Sequence, residues 1–477
     1  VKPGEVVSFM TYNTHHLLEG YYGVLQARAV LNPINIRLNP REIAYILNHA
    51  ESRILCFHKD FVPMVDAMRE GLQTVRTFVV LEPDLALPFS AYEYETLLRG
   101  APAQAHDPVV DENEPAELFY TSGTTGKPKG VVLTHRSLYL HALFATISLR
   151  QVDDTVLLHV VPMFHVNGWG SPHTITASGG THVMLRKIDP LEIFRLIQAE
   201  RVTTVLGVPT IYNTLVNHPE IGRYDLSSLR IAVTGGAPAS SVLIKAMEEK
   251  LGCEAIVGYG LTETSPVLSL ARPKAHLSGE SADQRRERRA KTGYAVVGVD
   301  VRVVDPQGRD VPPDGTSVGE IVARSNVVME GYYKDPQATA DAIRDGWFHT
   351  GDMATIDEEG YLLIVDRKKD IIISGGENIS SVEVENTLFA HPAVFEVAVV
   401  AVPDDQWGEV PKALVVLKPG AQATETELIQ FCRDRLAHFK APKSVEFLES
   451  LPKGGTGKIL KGELRERYWT GLVKRVH

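Results

Sequence analysis

Short apolar runs alternate with longer amphipathic stretches along most of this chain, and that alternation narrows the fold more than any single residue does. Val6 to Met10 reads as a strand and Leu17 to Leu31 as a helix. Asn39-Pro40 is an N-cap followed by proline at the first helical position, opening a helix to about His49. Arg53 to Phe57 and Thr77 to Leu81 are strand-like again, and the Pro-, Ala- and Asp-rich stretch from Glu82 to Glu114 reads as loop. The alternation then resumes: Thr134-His135-Arg136 opens a helix to about Leu149, Thr155 to Val161 is a buried strand, and Asp189-Pro190 starts a helix to Arg201. Val202 to Leu206, Leu229 to Thr234 and Cys253 to Val257 are further strands. Such alternation predicts βαβ units and a mainly parallel sheet. Gly319 to Val322 and Glu330 to Tyr333 suggest a small barrel-like subdomain, and the chain after Ile371 has the helix-strand-strand-helix pattern of a small α+β domain. Its helices are expected from about Val382 to Ala390 and from Glu425 to Leu436.

In open α/β sheets, ligands collect beyond the carboxyl ends of the strands, so residue clusters at those ends are the first places to look for chemistry. The richest is Tyr120-Thr121-Ser122-Gly123-Thr124-Thr125-Gly126-Lys127-Pro128-Lys129-Gly130. Its glycines let backbone N–H groups approach an anion, its hydroxyls add donors, and Lys127 and Lys129 add positive charge. These are the groups a polyphosphate needs. A Walker A loop is excluded: Thr121 stands where its first glycine should be, and Pro128 follows Lys127.

Three further clusters follow. Pro162 to Trp169 contains His165, which taken alone reads more readily as a satisfied core histidine. Gly235-Gly236-Ala237-Pro238 is a tight turn before a helix. In Gly258-Tyr259-Gly260-Leu261-Thr262-Glu263, Tyr259 offers a face for adenine, and Glu263 is a hard oxygen ligand suited to Mg²⁺. Later, Asp352 could accept both hydroxyl protons of a ribose. Asp366-Arg367-Lys368-Lys369-Asp370 is a charged run that could equally be a solvated turn.

At 477 residues the chain exceeds one ordinary core, so two or three domains are expected. The net charge of −10 argues against a nucleic-acid partner. The basic Arg285 to Arg289 stretch reads mainly as a solvated helix face. Three separated cysteines suit a reducing compartment and suggest neither a metal site nor a disulfide frame. No apolar run approaches the ~18 residues of a membrane span, and the opening residues lack a signal-peptide pattern. A soluble cytoplasmic enzyme is the expectation.

The Tyr120 to Gly130 string closely resembles the phosphate loop of the adenylate-forming, acyl-activating enzymes, and the other clusters resemble that superfamily's motifs in the same order. The resemblance runs from about Val6 to Arg467. It implies a large N-terminal domain (1–368) of βα-type sheets with the small barrel-like part, lacking the family's first segment, and a mobile α+β C-terminal domain (369–477). It implies ATP, Mg²⁺ and coenzyme A (CoA) as cofactors. By that resemblance Thr121, Ser122, Gly123, Thr124, Thr125, Gly126 and Lys127 hold phosphates; Gly236, Ala237 and Pro238 with Tyr259, Gly260 and Leu261 line adenine; Thr262, Glu263 and Thr121 reach phosphates and Mg²⁺. His165 would wall the substrate carboxylate, Asp352 bind ribose, and Arg367 contact ribose or phosphate. Lys369 would be the hinge pivot, and Lys458, on the glycine-rich loop from Pro452 to Lys461, the adenylating lysine. Gly454 departs from the usual Thr or Asn, which suggests a looser loop.

Gly375-Gly376 could line a channel for the pantetheine arm of CoA, and together with Pro162 to Trp169 and Trp407 this pattern looks most like the fatty acyl-CoA synthetases. Amino-acid-activating relatives carry a Phe-Asp pair where Phe164-His165 stands. A medium- to long-chain fatty acid is therefore the expected substrate. An aryl- or cinnamate-type CoA ligase, or adenylation with a non-CoA acceptor, is the alternative. The resemblance leaves a homodimer open.

Overall fold

The computed structural model describes residues 1–83, 86–103, 108–121, 128–367, 370–375, 377–454 and 457–469. Its first sheet has eight strands. Val6–Met10 lies in parallel between Val30–Pro33 and Ile54–His58, and Thr77–Leu81 extends the parallel run. All five residues of Val6–Met10 are buried, which is why this strand is a continuous apolar run with no polar alternation. On the other side, Pro115–Thr121 joins Val30–Pro33 in parallel and then forms an antiparallel hairpin with Lys129–Thr134.

The second sheet has seven strands. Five are parallel, in the spatial order Thr181–Met184, Val156–His159, Thr204–Gly207, Ile231–Thr234 and Glu254–Gly260. Val267–Leu270 and Tyr294–Ala295 close one side antiparallel. A third, antiparallel sheet holds Asp300–Val304, Gly319–Arg324, Ile343–Arg344, Trp347–Ile356 and Leu362–Arg367, where the barrel-like part was expected. The C-terminal sheet contains Ile372–Ser374, Glu377–Ile379, Val394–Asp404, Gly408–Leu417 and Ser444–Phe447, with helices Ser381–Phe389, Glu425–Arg433 and Lys461–Glu466 around it. The molecule is thus α/β in its large part and α+β at its C-terminal end. The expected domain boundary, Lys368 to Lys369, lies outside the described residues.

Local signals explain most helix starts. Asn39 accepts from Arg41 N and Glu42 N while Glu42 reaches back, a full capping box ahead of Pro40–His49. Thr134 caps His135–Leu149 and Asp189 caps Pro190–Glu200. Three expectations need correction. The helix expected from Leu17 to Leu31 is His15–Gln26; the chain turns at Arg28, whose φ is +54, and Val30–Pro33 is a strand whose Val30 N–H bonds to Glu5 O. The stretch read as loop after Glu82 contains the short strand Tyr92–Glu93 and the helix Tyr94–Gly100. Gly331–Tyr332 does not belong to the third sheet: it pairs antiparallel with Lys129–Thr134 at the edge of the first. Among the described residues, no helix is long and apolar enough to cross a membrane.

Candidate functional site

Thr121 ends its strand opposite Lys129, so the residues from Ser122 to Lys127 connect the two strands of this hairpin. Ser122, Gly123, Thr124, Thr125, Gly126 and Lys127 themselves lie outside the described residues. The misplaced strand Gly331–Tyr332 shows what this hairpin meets. Tyr332 OH donates to Glu263 Oε1 at 2.9 Å, and Lys129 Nζ stands 4.9 Å from the centre of the Tyr332 ring. Glu263 sits in the single turn Thr262–Thr264 beyond the strand Glu254–Gly260, and its backbone carbonyl accepts from Met329 N at 2.8 Å. Burial pushes its carboxyl above the usual range, partly offset by the Tyr332 hydroxyl. A carboxylate taken largely out of water, with the Tyr332 hydroxyl on one oxygen, is a hard-oxygen donor, which fits Mg²⁺.

The nucleoside side is built on Asp352. Tyr259 OH donates to Asp352 Oδ2 at 2.8 Å, and Arg367 Nε stands 3.6 Å from Oδ1. Thr350 Oγ1 accepts from Asp352 N at 3.1 Å. Tyr259 is buried in the core between the second and third sheets, with 9% of its surface exposed. Gly260 cannot carry a side chain, because its Cβ would overlap the carbonyl oxygen of Pro266. A Cβ on Gly235 would come within 2.7 Å of Gly258 O, and Gly236 has φ +75. Ala237 and Pro238 continue this turn toward the helix Ser241–Leu251. Leu261 is fixed through its N–H, which bonds to Pro266 O, and Thr262 is buried.

Lys458 comes to this group from the C-terminal part of the chain. Desolvation, then the neighbouring Arg367 guanidinium, pushes its ammonium down to about 7, while Asp352 pulls the other way. The loop that carries it is closed by Gly454 N to Lys458 O at 2.8 Å and Gly457 N to Gly454 O at 2.9 Å. Thr210 Oγ1 donates to Gly457 O at 3.2 Å, tying the loop to the helix Pro209–Val216 of the second sheet. A Cβ on Gly454 would stand 3.2 Å from Leu460 Cδ2; Gly455 and Thr456, between these hydrogen bonds, lie outside the described residues.

His165 lies within range of the charge of the same lysine. Burial first, and then the charge of Lys458, holds its imidazole down to about 4, so it is neutral near pH 7. It precedes an unusual segment: Val166, Asn167, Gly168, Trp169 and Gly170 have φ of +38, +42, +54, +61 and +77. This is a single left-handed turn in which three residues are not glycine, each costing about 1–2 kcal/mol relative to a right-handed one. The turn places the Trp169 indole 3.5 Å and 3.6 Å from where Cβ atoms of Gly235 and Gly236 would be. The ring therefore packs at van der Waals distance over this turn.

The structure therefore brings Glu263, Tyr259, Asp352, Arg367, Lys458 and His165 together, with Thr121 at the end of Pro115–Thr121 and Gly236 in the turn after Ile231–Thr234. Gly375 and Trp407 meet each other on the C-terminal sheet instead: Gly375 N donates to Trp407 O at 2.8 Å, and Trp407 is exposed. Lys369 and Gly376 lie outside the described residues. Sequence reasoning missed Tyr332 and Thr350. A paired Tyr332-Tyr333 near a glycine carries no signal that it would reach a carboxylate many residues away.

Comparison with known proteins places this geometry. Residues 1–333 match the family model described as AMP-binding enzyme, and residues 383–458 match that of the AMP-binding enzyme C-terminal domain. The chain is 43% identical over 473 residues to a long-chain-fatty-acid–CoA ligase of Thermus thermophilus, covering 98% of this chain and 86% of the relative. It is 39% identical over 499 residues to a peroxisomal benzoate–CoA ligase of Arabidopsis thaliana, covering 98% and 85%. A crystal structure of an anthranilate CoA ligase in complex with anthranoyl-AMP superposes with a TM-score of 0.90 at 27% identity, covering 98% of this chain and 88% of that one. On this sequence, fold and arrangement, the chain belongs to the AMP-binding, adenylate-forming enzyme family.

Proposed function

We propose that the protein joins a medium- to long-chain fatty acid to CoA through an acyl-adenylate, releasing pyrophosphate and AMP. The observation that carries this reading is the approach of Lys458 to His165, Asp352 and Arg367. A lysine from the C-terminal loop, largely stripped of water, stands near Asp352, a carboxylate suited to ribose hydroxyls, and near the His165 imidazole. A carboxylate is a poor acyl donor because its leaving group would be an oxide. Attack of its oxygen on the α-phosphorus of ATP expels pyrophosphate and leaves AMP as a good leaving group. That step demands charge neutralisation and alignment more than covalent help.

In this reading Lys458 carries its positive charge once the triphosphate is bound, because the phosphate charges raise its proton affinity. The neutral His165 imidazole borders the attacking carboxylate without competing for the phosphates. Asp352, aligned by Tyr259 and Thr350, accepts the ribose hydroxyls, and Arg367 lies beside it. Glu263 and Thr121 would hold Mg²⁺, which supplies charge neutralisation at the phosphates when bound. In the second half-reaction the CoA thiol attacks the acyl carbon and AMP departs. A thiol of pKa about 8.5 ionises enough near neutrality to need no strong base. Lys458 must then yield its place, through rotation of the C-terminal domain (369–477) about Lys369 that brings Gly375, Gly376 and Trp407 to the pantetheine arm. Cytoplasmic action suits this chemistry.

The similarity to a long-chain ligase and the apolar Trp169 and Val208 beside Gly236 support an aliphatic acid. Similarity to a benzoate ligase and an anthranilate ligase favours a second reading, an aromatic acid. Pyrophosphate release with ATP and Mg²⁺ across acids from butyrate to palmitate, with benzoate and cinnamate, separates the two. Turnover on fatty acids that increases with CoA is expected. Turnover confined to aromatic acids, or indifferent to CoA, would overturn the fatty-acyl assignment.

A further inference from the structure

The left-handed turn from Val166 to Gly170 is costly, and such backbone persists only where its surroundings over-determine it. A β-branched valine at φ +38 and a tryptophan at φ +61 have no intrinsic reason to be there. The surroundings supply the reason. Asn167, fully buried, donates from Nδ2 to Glu117 Oε2 at 3.0 Å, and the fully buried Glu117 meets His173 Nε2 through Oε1 at 2.7 Å. Ser171 Oγ donates to Gly168 O at 2.7 Å. A side chain on Gly170 would overlap the imidazole of His141, so the turn is blocked from swinging that way.

Glu117 belongs to the strand Pro115–Thr121, which ends at Thr121 and leads into the phosphate loop. One buried carboxylate therefore joins the strand behind the nucleotide phosphates, in the first sheet, to the turn after Val156–His159 of the second sheet, which carries His165 and Trp169. We propose that Glu117 is a positioning residue: through Asn167 it holds the left-handed turn, and so sets where the acid's carboxylate and chain lie relative to the α-phosphorus. This rests on the acyl-adenylate reading above. It adds that acid selectivity depends on a hydrogen bond to a group that touches no substrate.

The test compares Glu117→Ala, Glu117→Gln, Asn167→Gly and the double variant Glu117→Ala/Asn167→Gly. Glycine tolerates a φ of +42, so Asn167→Gly removes the anchor without adding backbone strain. The readouts are KM for ATP and the ratio of kcat/KM for dodecanoate over butyrate. Glu117→Ala and Asn167→Gly should each change that ratio by about 5-fold or more with KM for ATP within about 2-fold, and the double variant should match either single one. Glutamine can accept from Asn167 and donate to His173, so Glu117→Gln should stay within about 2-fold of the parent. Equal loss on both acids, additive single effects, or a glutamine variant as impaired as alanine would overturn the proposal. Amide hydrogen exchange separates this from failure of the functional reading, since it needs no turnover. Amides of residues 166–170 should exchange at least about 10-fold faster in Glu117→Ala than in the parent, and unchanged protection would overturn the proposal even if no acid proved to be a substrate.

Discussion

Lys458 offers the most quantitative consequence of this geometry. An ordinary lysine amine titrates at 10.5, whereas desolvation and Arg367 bring Lys458 down to about 7 in the ligand-free protein. At about pH 8 a group with a pKa of 7 is roughly nine-tenths neutral, against roughly 0.3% for an ordinary lysine, a difference of about 300-fold in free amine. Brief exposure to a limiting acylating reagent across about pH 5 to 11, with peptide mass spectrometry of the modified site, reads that fraction directly. The labelling midpoint of Lys458 should lie near 7. Adding a non-hydrolysable ATP analogue with Mg²⁺ should move it upward and slow labelling at about pH 8, because negative phosphate oxygens favour the ammonium. The same sign governs adenylation by the ligand-free form: binding of ATP must take up a proton above pH 7, so apparent ATP affinity should fall as pH rises through that region. A ligand-free midpoint above about 10 would refute the placement of Lys458 beside Arg367 in a water-poor crevice.

Three further outcomes follow from the site. Lys458→Ala should slow adenylation by about 10²-fold or more while leaving CoA attack on supplied acyl-adenylate within about 3-fold, as measured in the two half-reactions separately. Asp352→Ala should raise KM for ATP by about 10-fold and leave KM for the acid nearly unchanged, because the ribose acceptor and the partner of Tyr259 are both lost. Gly260→Ala should lower stability by about 3 kcal/mol, seen as a reduced midpoint of thermal unfolding, because its new Cβ overlaps a backbone oxygen that cannot rotate away.

What sequence could show depended on how local the cause was. The caps at Asn39, Thr134 and Asp189 each operate within a few residues, so the helices they open could be read from the local sequence. The motifs around Tyr259, Glu263, Asp352 and Lys458 were visible because each clusters unusual residue types within a few positions of the chain. The edge strand Gly331–Tyr332 was not legible: it is held by pairing with Val131 and Val132, about two hundred residues away in the chain. Val30–Pro33 was hidden inside an apolar stretch, since only the left-handed Arg28 separates it from the preceding helix. The turn from Val166 to Gly170 runs against local preference, and its cause, Glu117, lies on a different sheet. Where tertiary contacts override local preference, a single sequence gives little warning.

The central claim is that the acid's own oxygen becomes bonded to the α-phosphorus. Turnover with a fatty acid carrying ¹⁸O in both carboxylate positions, ATP, Mg²⁺ and CoA, followed by mass spectrometry of the released nucleotide, tests it directly. One ¹⁸O atom in AMP, with unlabelled pyrophosphate, is the expected result. Unlabelled AMP, or label recovered in inorganic phosphate alongside ADP, would contradict it.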